Sequence, residues 1–531
     1  MMACTGPSED AAQTSAEQSG SQSAAIADES VDSTDPAIGR ALYRDGLRAN
    51  GEPLTAIVAD DVKVLGTQFS CDGCHGISGM GSMEASYIVP IIAGPVLFSP
   101  AVQPERPAYD PDSLATVLRE GLTPSGRKLD RLMPRYRLSD DEIRSLADYL
   151  GTLSIGPSPG VDGATIRFAT VVTDNSSEQE RNAIVSVLSR FVEEKSLQTR
   201  LESKRWDRGT TPESQLPTVH RDWILDVWTL SGPVAEWGDQ LQAYYEREPV
   251  FAVLGGLIPE SPGPFSQFCE ANRIPCLLPN TNNPEAREND LYTLYFSRGL
   301  GLEADLIATH LEGYQFDTLI QVYCEDSAAR AAEQLGAVYA GRKIESRQLA
   351  FDCKNETPVK RLRNLLDESQ TKVFVLWLDK THLLEMDSSL KGRVYLSSTL
   401  IGDDIDSLPE TAATSAYLAH PYHIPGSIDP AYRRFLAWMK TRKIDVTNPR
   451  LQGEAFFAAL LMSDMVKHMD GFYVRDYVLD LIGHAQNMGI YLPGYSSPTF
   501  GPGQIFLSKG GYVLPVSNAR LDTESASWIS P

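Results

Sequence analysis

Long apolar runs are absent from this chain. No stretch of about 18 apolar residues occurs, so no transmembrane helix is expected. Positive charge is scarce: 47 Lys and Arg stand against 70 Asp and Glu, for a net charge of −23. A surface this acidic repels phosphate backbones and anionic headgroups, which argues against nucleic acid and against direct membrane binding. It suits a basic partner, or simply keeps the protein in solution. No Gly-rich phosphate loop and no nucleophile elbow occur. The eight histidines are scattered, apart from His420 and His423 in His420-Pro421-Tyr422-His423, a loop pair expected to be solvated. With no catalytic constellation in the sequence, an enzyme is not expected.

What is present is ordinary globular composition, with 42% hydrophobic residues over 531 positions, too long for one core. Residues 1–34 are rich in Ser, Ala, Gln, Asp and Glu and are expected to be a disordered acidic tether. The opening Met1-Met2-Ala3-Cys4 resembles the end of a bacterial lipoprotein signal. That implies an apolar stretch upstream, a lipid on Cys4, and membrane attachment through that lipid alone. Ordered sequence begins at Asp35-Pro36. A first unit is expected over residues 35–153, a Pro/Gly-rich linker over 154–163, a larger unit over 164–516, and a polar tail over 517–531.

Cys71-Asp72-Gly73-Cys74-His75 is the most specific signal. Two thiols three positions apart lie one helical turn apart. They can close thioethers on the two vinyl groups of a haem, and the next residue then faces the iron. The spacing predicts one covalent haem c with His75 as proximal ligand. A zinc half-site would need a second C-x-x-C or a His pair, and none occurs. The sixth ligand is expected to be Met133, in Leu132-Met133-Pro134, just before a helix over Asp140–Leu150 whose Ser139 and Glu142 form a capping box. Met80 and Met83 lie too soon after His75 to reach the far face of the ring.

On these residues the first unit resembles a class I cytochrome c domain, an all-α fold. Gly39 and Tyr43 on its first helix, with Leu146 and Tyr149 on its last, match the family's crossing terminal helices. Ala93-Gly94-Pro95 resembles the family loop whose proline carbonyl accepts from the proximal histidine, which implies that Pro95 holds His75. One departure is the length of Gly46–Ser70, where the family has a short turn.

The larger unit alternates apolar strand-like runs with amphipathic helices. The runs are Ile166–Val172, Trp223–Leu230, Val250–Gly255, Cys276–Leu278, Thr318–Val322, Val373–Leu378 and Val394–Leu396. This predicts two doubly wound parallel sheets. Cys4, Cys71 and Cys74 aside, four cysteines remain, in close pairs, predicting disulfides Cys269–Cys276 and Cys324–Cys353 and an oxidising compartment. Phe251–Gly256, Arg273–Pro279, Asn283-Pro284-Glu285 and Gly453–Phe457 resemble periplasmic solute-binding proteins of the leucine/isoleucine/valine-binding type. That resemblance implies two α/β lobes around a cleft, lined here by Ser261, Thr281, Tyr323 and Ser398. Glu260 would repel a carboxylate, so the cleft either takes a small molecule other than an amino acid or serves as a docking surface.

The expected protein is a periplasmic, lipid-tethered, mono-haem electron carrier. Its partner would be a periplasmic dehydrogenase or oxidase, with the two-lobed unit recruiting a ligand or that partner. The alternative is a solute-binding component of a transport or signalling system with an auxiliary haem.

Overall fold

A computed structural model describes residues 35–531 except 85–86, 103–104, 208–220, 260–261, 354–370, 385–389, 391, 403–415, 425–429, 486–494, 496–497, 502 and 518–519. The expected tether, Cys4, Glu260 and Ser261 lie outside the described residues.

The first unit starts at α1 (Pro36–Arg40), with Asp35 accepting from the Ala37 amide and Pro36 in the first turn. A wider turn, Ala41–Asp45, extends it. Then come β1 (Thr55–Val58), β2 (Val62–Leu65), α2 (Asp72–His75), α3 (Pro111–Glu120), β3 (Arg135–Tyr136) and α4 (Asp140–Thr152). The expected Ser139–Glu142 capping box starts α4. α1 and α4 cross as expected: Gly39 lies against the Ser145 carbonyl and the Tyr43 and Tyr149 rings are 5.4 Å apart. The unit is not all-α, however. β-Branched residues in Gly46–Ser70 pair as a hairpin around Ala59 and Asp60, both at positive φ, and β1 also pairs with β3. Helix-period reading passes over strands this short.

The larger unit has two lobes. The first contains β4 (Thr165–Thr173), α5 (Glu178–Asp207), β5 (Asp222–Leu230), α6 (Trp237–Arg247), β6 (Ala252–Leu254), α7 (Gly263–Ala271), β7 (Cys276–Leu277) and β8 (Thr293–Leu294). Its sheet is wholly parallel, in the order β8-β7-β6-β4-β5. The second contains α8 (Leu300–His310), β9 (Thr318–Cys324), α9 (Glu325–Tyr339), β10 (Glu345–Phe351), β11 (Lys372–Trp377), β12 (Arg393–Ser397) and β13 (Ala416–His420). The chain then returns to the first lobe as α10 (Pro449–His468) and α11 (Arg475–Gly483), whose Met465, Val478 and Ile482 join its core. It ends on the second lobe with β14 (Tyr512–Ser517) and β15 (Arg520–Leu521).

The second sheet runs β10-β9-β11-β12-β13-β14-β15, and its last two strands are antiparallel additions. The polar tail after residue 516 packs onto the second lobe: β15 pairs with β14, and Ile529 exchanges backbone hydrogen bonds with Gly511. The linker, residues 154–163, is held by the first lobe. The Ser158 amide donates to the Tyr473 carbonyl. The buried Arg475 guanidinium donates to the carbonyls of Pro159, Val250, Phe251 and Asn272 and to the Tyr245 hydroxyl. A cation taken out of water needs such a set of acceptors, and here they pin the connection to the first lobe.

Candidate functional site

The C-x-x-C-H segment forms α2, one turn long, with the His75 amide bonded to the Cys71 carbonyl. Cys71 and Cys74 are not in a disulfide, whereas the other four described cysteines are. His75 is buried, and burial pushes its imidazole down to about 4, keeping the ring neutral. Its Nδ1 lies 3.0 Å from the Pro90 carbonyl. A carbonyl only accepts, so Nδ1 carries the hydrogen and Nε2 presents a lone pair. The acceptor is thus Pro90 and not Pro95. The Ile92 and Ala93 amides both bond to the Gly79 carbonyl, and that turn carries Pro95 onward into a short helix, Gly94–Leu97.

Met133 packs at the edge of the first unit's core, as does Cys71. Met80 is buried in the turn directly after His75, whose carbonyl accepts from the Gly81 amide. The Met83 side chain lies outside the described residues.

The segment after His75 is joined to the first lobe through Asp480 on α11. Its Oδ1 accepts from the Ile77 amide at 2.8 Å, and its Oδ2 from the Ser78 amide at 3.0 Å and the Ser78 hydroxyl at 2.5 Å. Gly76, at φ 75°, makes room: a Cβ there would stand 2.5 Å from the Asp480 carboxylate. Loss of water around Asp480 pushes its carboxyl up to about 6, against the pull of the Ser78 and Ile77 donors. One turn earlier, Asp476 accepts from the Tyr292 hydroxyl at 2.7 Å and from Arg273, and lies 3.7 Å from Arg44 of the first unit. No sequence signal connects Asp480 with residues some 400 positions earlier.

The cleft lies between the carboxyl ends of strands from both sheets, where open α/β folds place ligands. Asn280, Thr281 and Asn282 line it after β7, Ser297 after β8, Thr399 after β12 and Tyr422 after β13, joined by Arg450 and Tyr495. Thr281 is where it was expected. Ser398 is not: its buried side chain turns away, and its neighbour Thr399 faces the cleft. Tyr323 points into the second lobe's core, 3.4 Å from Gln348, because β9 is packed on both faces.

The polar groups of the cleft are largely satisfied by one another. Glu303 Oε1 accepts from the Thr399 amide and hydroxyl at 2.9 and 2.7 Å, and the Tyr422 hydroxyl lies 3.0 Å from that of Thr399. Glu454 accepts from Asn280 at 2.6 Å and from the Tyr495 hydroxyl at 3.1 Å. The Arg450 guanidinium lies over the Tyr422 ring, and Tyr495 stacks on Phe296. Only about 20 Å³ is left for a water-sized guest, room for about one water. Glu303 Oε2 is buried and has no partner among the described residues, and burial pushes this carboxyl up to about 7. Sequence reading missed Glu303 and Glu454 because lone carboxylates on helices look like solvated faces.

Both expected disulfides are present, Cys269–Cys276 fully buried and Cys324–Cys353 partly exposed. His382 stands beside the second pair, bonded to Asp379 at 2.8 Å. As a disulfide, that pair offers no thiolate to a metal. Among the described residues no helix is long and apolar enough to cross a membrane.

No protein-family model matches the chain, and no curated protein matches it in sequence. Solved structures do match. A branched-chain amino acid ABC transporter protein from Thermus thermophilus with bound valine aligns at 11% identity over 68% of this chain and 95% of its own, with a TM-score of 0.50. A leucine-binding protein from Thermotoga maritima aligns at 12% over 69% and 99%, with a TM-score of 0.48. A fatty acid ABC transporter substrate-binding protein from Thermomonospora curvata aligns at 12% over 71% and 95%, with a TM-score of 0.47. Shares of this size must draw mostly on the two-lobed unit, since residues before 164 are under a third of the chain. That unit shares the two-lobed α/β fold of the valine-bound Thermus thermophilus protein.

Proposed function

We propose that the first unit holds one covalent haem through Cys71 and Cys74, with His75 and Met133 as axial ligands, and that the protein is an extracytoplasmic electron carrier mounted on a two-lobed body. The observation that carries this is α2: two cysteines left out of any disulfide, one turn apart, beside an imidazole fixed by Pro90 with Nε2 free. The surroundings fit an apolar macrocycle. Val62, Leu65, Phe69, Ile88 and Leu132 are exposed, and all lie in segments bracketing α2 and Met133. The bound haem would supply a one-electron iron couple. The chain's own residues do the rest: the thiols anchor, Pro90 fixes ring orientation and basicity, and Asp480 holds the following loop against the lobe.

The partner in this reading is a periplasmic dehydrogenase or oxidase, and the acidic surface favours one with a basic patch. Two disulfides support an oxidising compartment. Attachment through a lipid on Cys4 belongs to the same proposal. The test is a denaturing gel stained for haem. The chain should stain, and Cys71→Ala with Cys74→Ala should abolish the stain; a double variant that still stains refutes the assignment.

A second reading, solute binding, is favoured by one feature: the partnerless buried oxygen of Glu303 behind the cleft wall. In this reading the lobes open, Tyr422 and Tyr495 move aside, and a small molecule enters as part of transport or signalling. Thermal-shift measurements across a solute panel test it. No shift with any solute would leave the two-lobed body as a mount and docking surface.

A further inference from the structure

The segment Gly46–Ser70 is folded onto the loop that carries Met133. β1 spans the mouth of that loop and holds both of its ends. On one side the Ala59 amide donates to the Arg131 carbonyl at 2.9 Å. On the other, Ile57 and Ala56 pair with Arg135 and Tyr136, and the Arg137 amide donates to the Thr55 carbonyl at 3.1 Å. Arg135 closes the loop from inside. Its guanidinium donates to the carbonyls of Met133, Leu129 and Asp130, the last two at 3.3 and 3.2 Å. Gly121, at φ 75°, lets the guanidinium in, since a Cβ there would stand 2.3 Å from it. The Tyr136 hydroxyl then donates to the Phe69 carbonyl at 2.6 Å, two residues before Cys71, tying the Met133 loop to the base of α2.

We propose that the hairpin β1–β2 and Arg135 form a clamp that fixes the Met133 thioether and keeps the sixth iron position closed to outside ligands. This rests on Met133 being the axial ligand. Arg135 is a positioning residue: it touches the backbone of the ligand loop and reaches the iron only through Met133. A planar fork can serve three carbonyls at once, whereas a lysine ammonium on a flexible stem holds them less rigidly. A loop free at both ends would sample many conformers, of which few present the sulfur; a loop pinned at both ends samples few.

The test uses the full, haem-loaded chain with imidazole as the probe, followed by the weak near-infrared band of methionine-ligated ferric haem. The parent should show the band and take up imidazole slowly. Arg135→Leu should leave haem stain per protein unchanged, weaken the band, and speed imidazole entry at least tenfold. Arg135→Lys should recover part of that change. Gly121→Ala, which displaces the guanidinium without removing it, should act like Arg135→Leu and keeps the test open if that variant fails to fold. Parent-like band and imidazole rates in Arg135→Leu or Gly121→Ala overturn the clamp while leaving the haem reading intact. If the parent lacks the band, or Met133→Ala leaves it unchanged, the Met133 assignment falls and takes the clamp with it.

Discussion

The two candidate sites treat their polar groups in opposite ways. At α2, two thiols stay outside any disulfide and one imidazole nitrogen presents a lone pair, while the surrounding bonds, Pro90 to Nδ1 and Asp480 to Ile77 and Ser78, hold the segment in place. In the cleft, Thr399, Tyr422, Asn280, Glu454, Tyr495 and one oxygen of Glu303 bond to one another, leaving room for about one water. Resemblance of fold therefore says little about which site is active. The cleft sits at the carboxyl ends of the strands, where open α/β folds place ligands, yet it is closed on its own side chains. The C-x-x-C-H site lies in the other unit, outside the two lobes.

The largest effect that sharpens this contrast is all-or-none. Cys71→Ser together with Cys74→Ser should remove every trace of covalent haem stain, whereas Tyr495→Ala in the cleft should leave the stain untouched. A cleft substitution that lowers stain as much as the thiol pair would erase the distinction between the sites.

Next in size is the joint between them. Asp480→Ala leaves the Ile77 and Ser78 donors facing an apolar surface, at a cost of about 2–4 kcal/mol in the contact between the units. Proteolytic cleavage within residues 154–163 should accelerate by about one and a half to three orders of magnitude, the equivalent of that cost. Unchanged cleavage would mean the units are held by Arg475 and packing alone.

A smaller effect concerns pH. The Glu303 carboxyl is pushed up to about 7 from an ordinary 4.5, so the folded state binds its proton more tightly than the unfolded state does. Its contribution is complete below about pH 4.5 and is lost as the pH rises through 7, at up to about 1.4 kcal/mol per pH unit. Glu303→Gln should flatten the decline in denaturant midpoint between pH 5 and 8. An equally steep decline in the variant would place the titration elsewhere.

The smallest effect separates the disulfides. Under mild reductant, Cys324–Cys353 should open first, because its sulfurs are partly exposed and those of Cys269–Cys276 are buried. Mass spectrometry of alkylated peptides sets the order, and the reverse order would contradict the exposure argument.

The sequence revealed most where local chemistry is self-contained. The C-x-x-C-H spacing, the Ser139–Glu142 cap and the close cysteine pairs need only neighbouring residues. The buried strands β4 to β7, β9, β11 and β12 stood out as apolar runs. β10 did not, because its Glu-Ser-Arg-Gln half is exposed at a sheet edge, and β14 was missed as a late antiparallel addition. Pro95 came from matching the family loop Ala93-Gly94-Pro95, whereas the fold sets the Pro90 carbonyl against the imidazole. Tyr323 and Ser398 were placed in the cleft from strand ends alone, without the half-turn of rotation that sends one into the core and puts Thr399 forward. Asp480 and Arg475 were out of reach, since what they bind lies hundreds of residues away.

That separation orders events in time as well as in space. Asp480 follows Ile77 by 403 positions. At synthesis rates of about 5–20 residues per second, roughly 20–80 s separate the appearance of the C-x-x-C-H segment from that of the carboxylate that will cover its following loop. During that interval the first unit can fold while its joint face is still bare. The contact between the units therefore waits for the chain's later third, while the first unit's buried core needs nothing beyond residue 153.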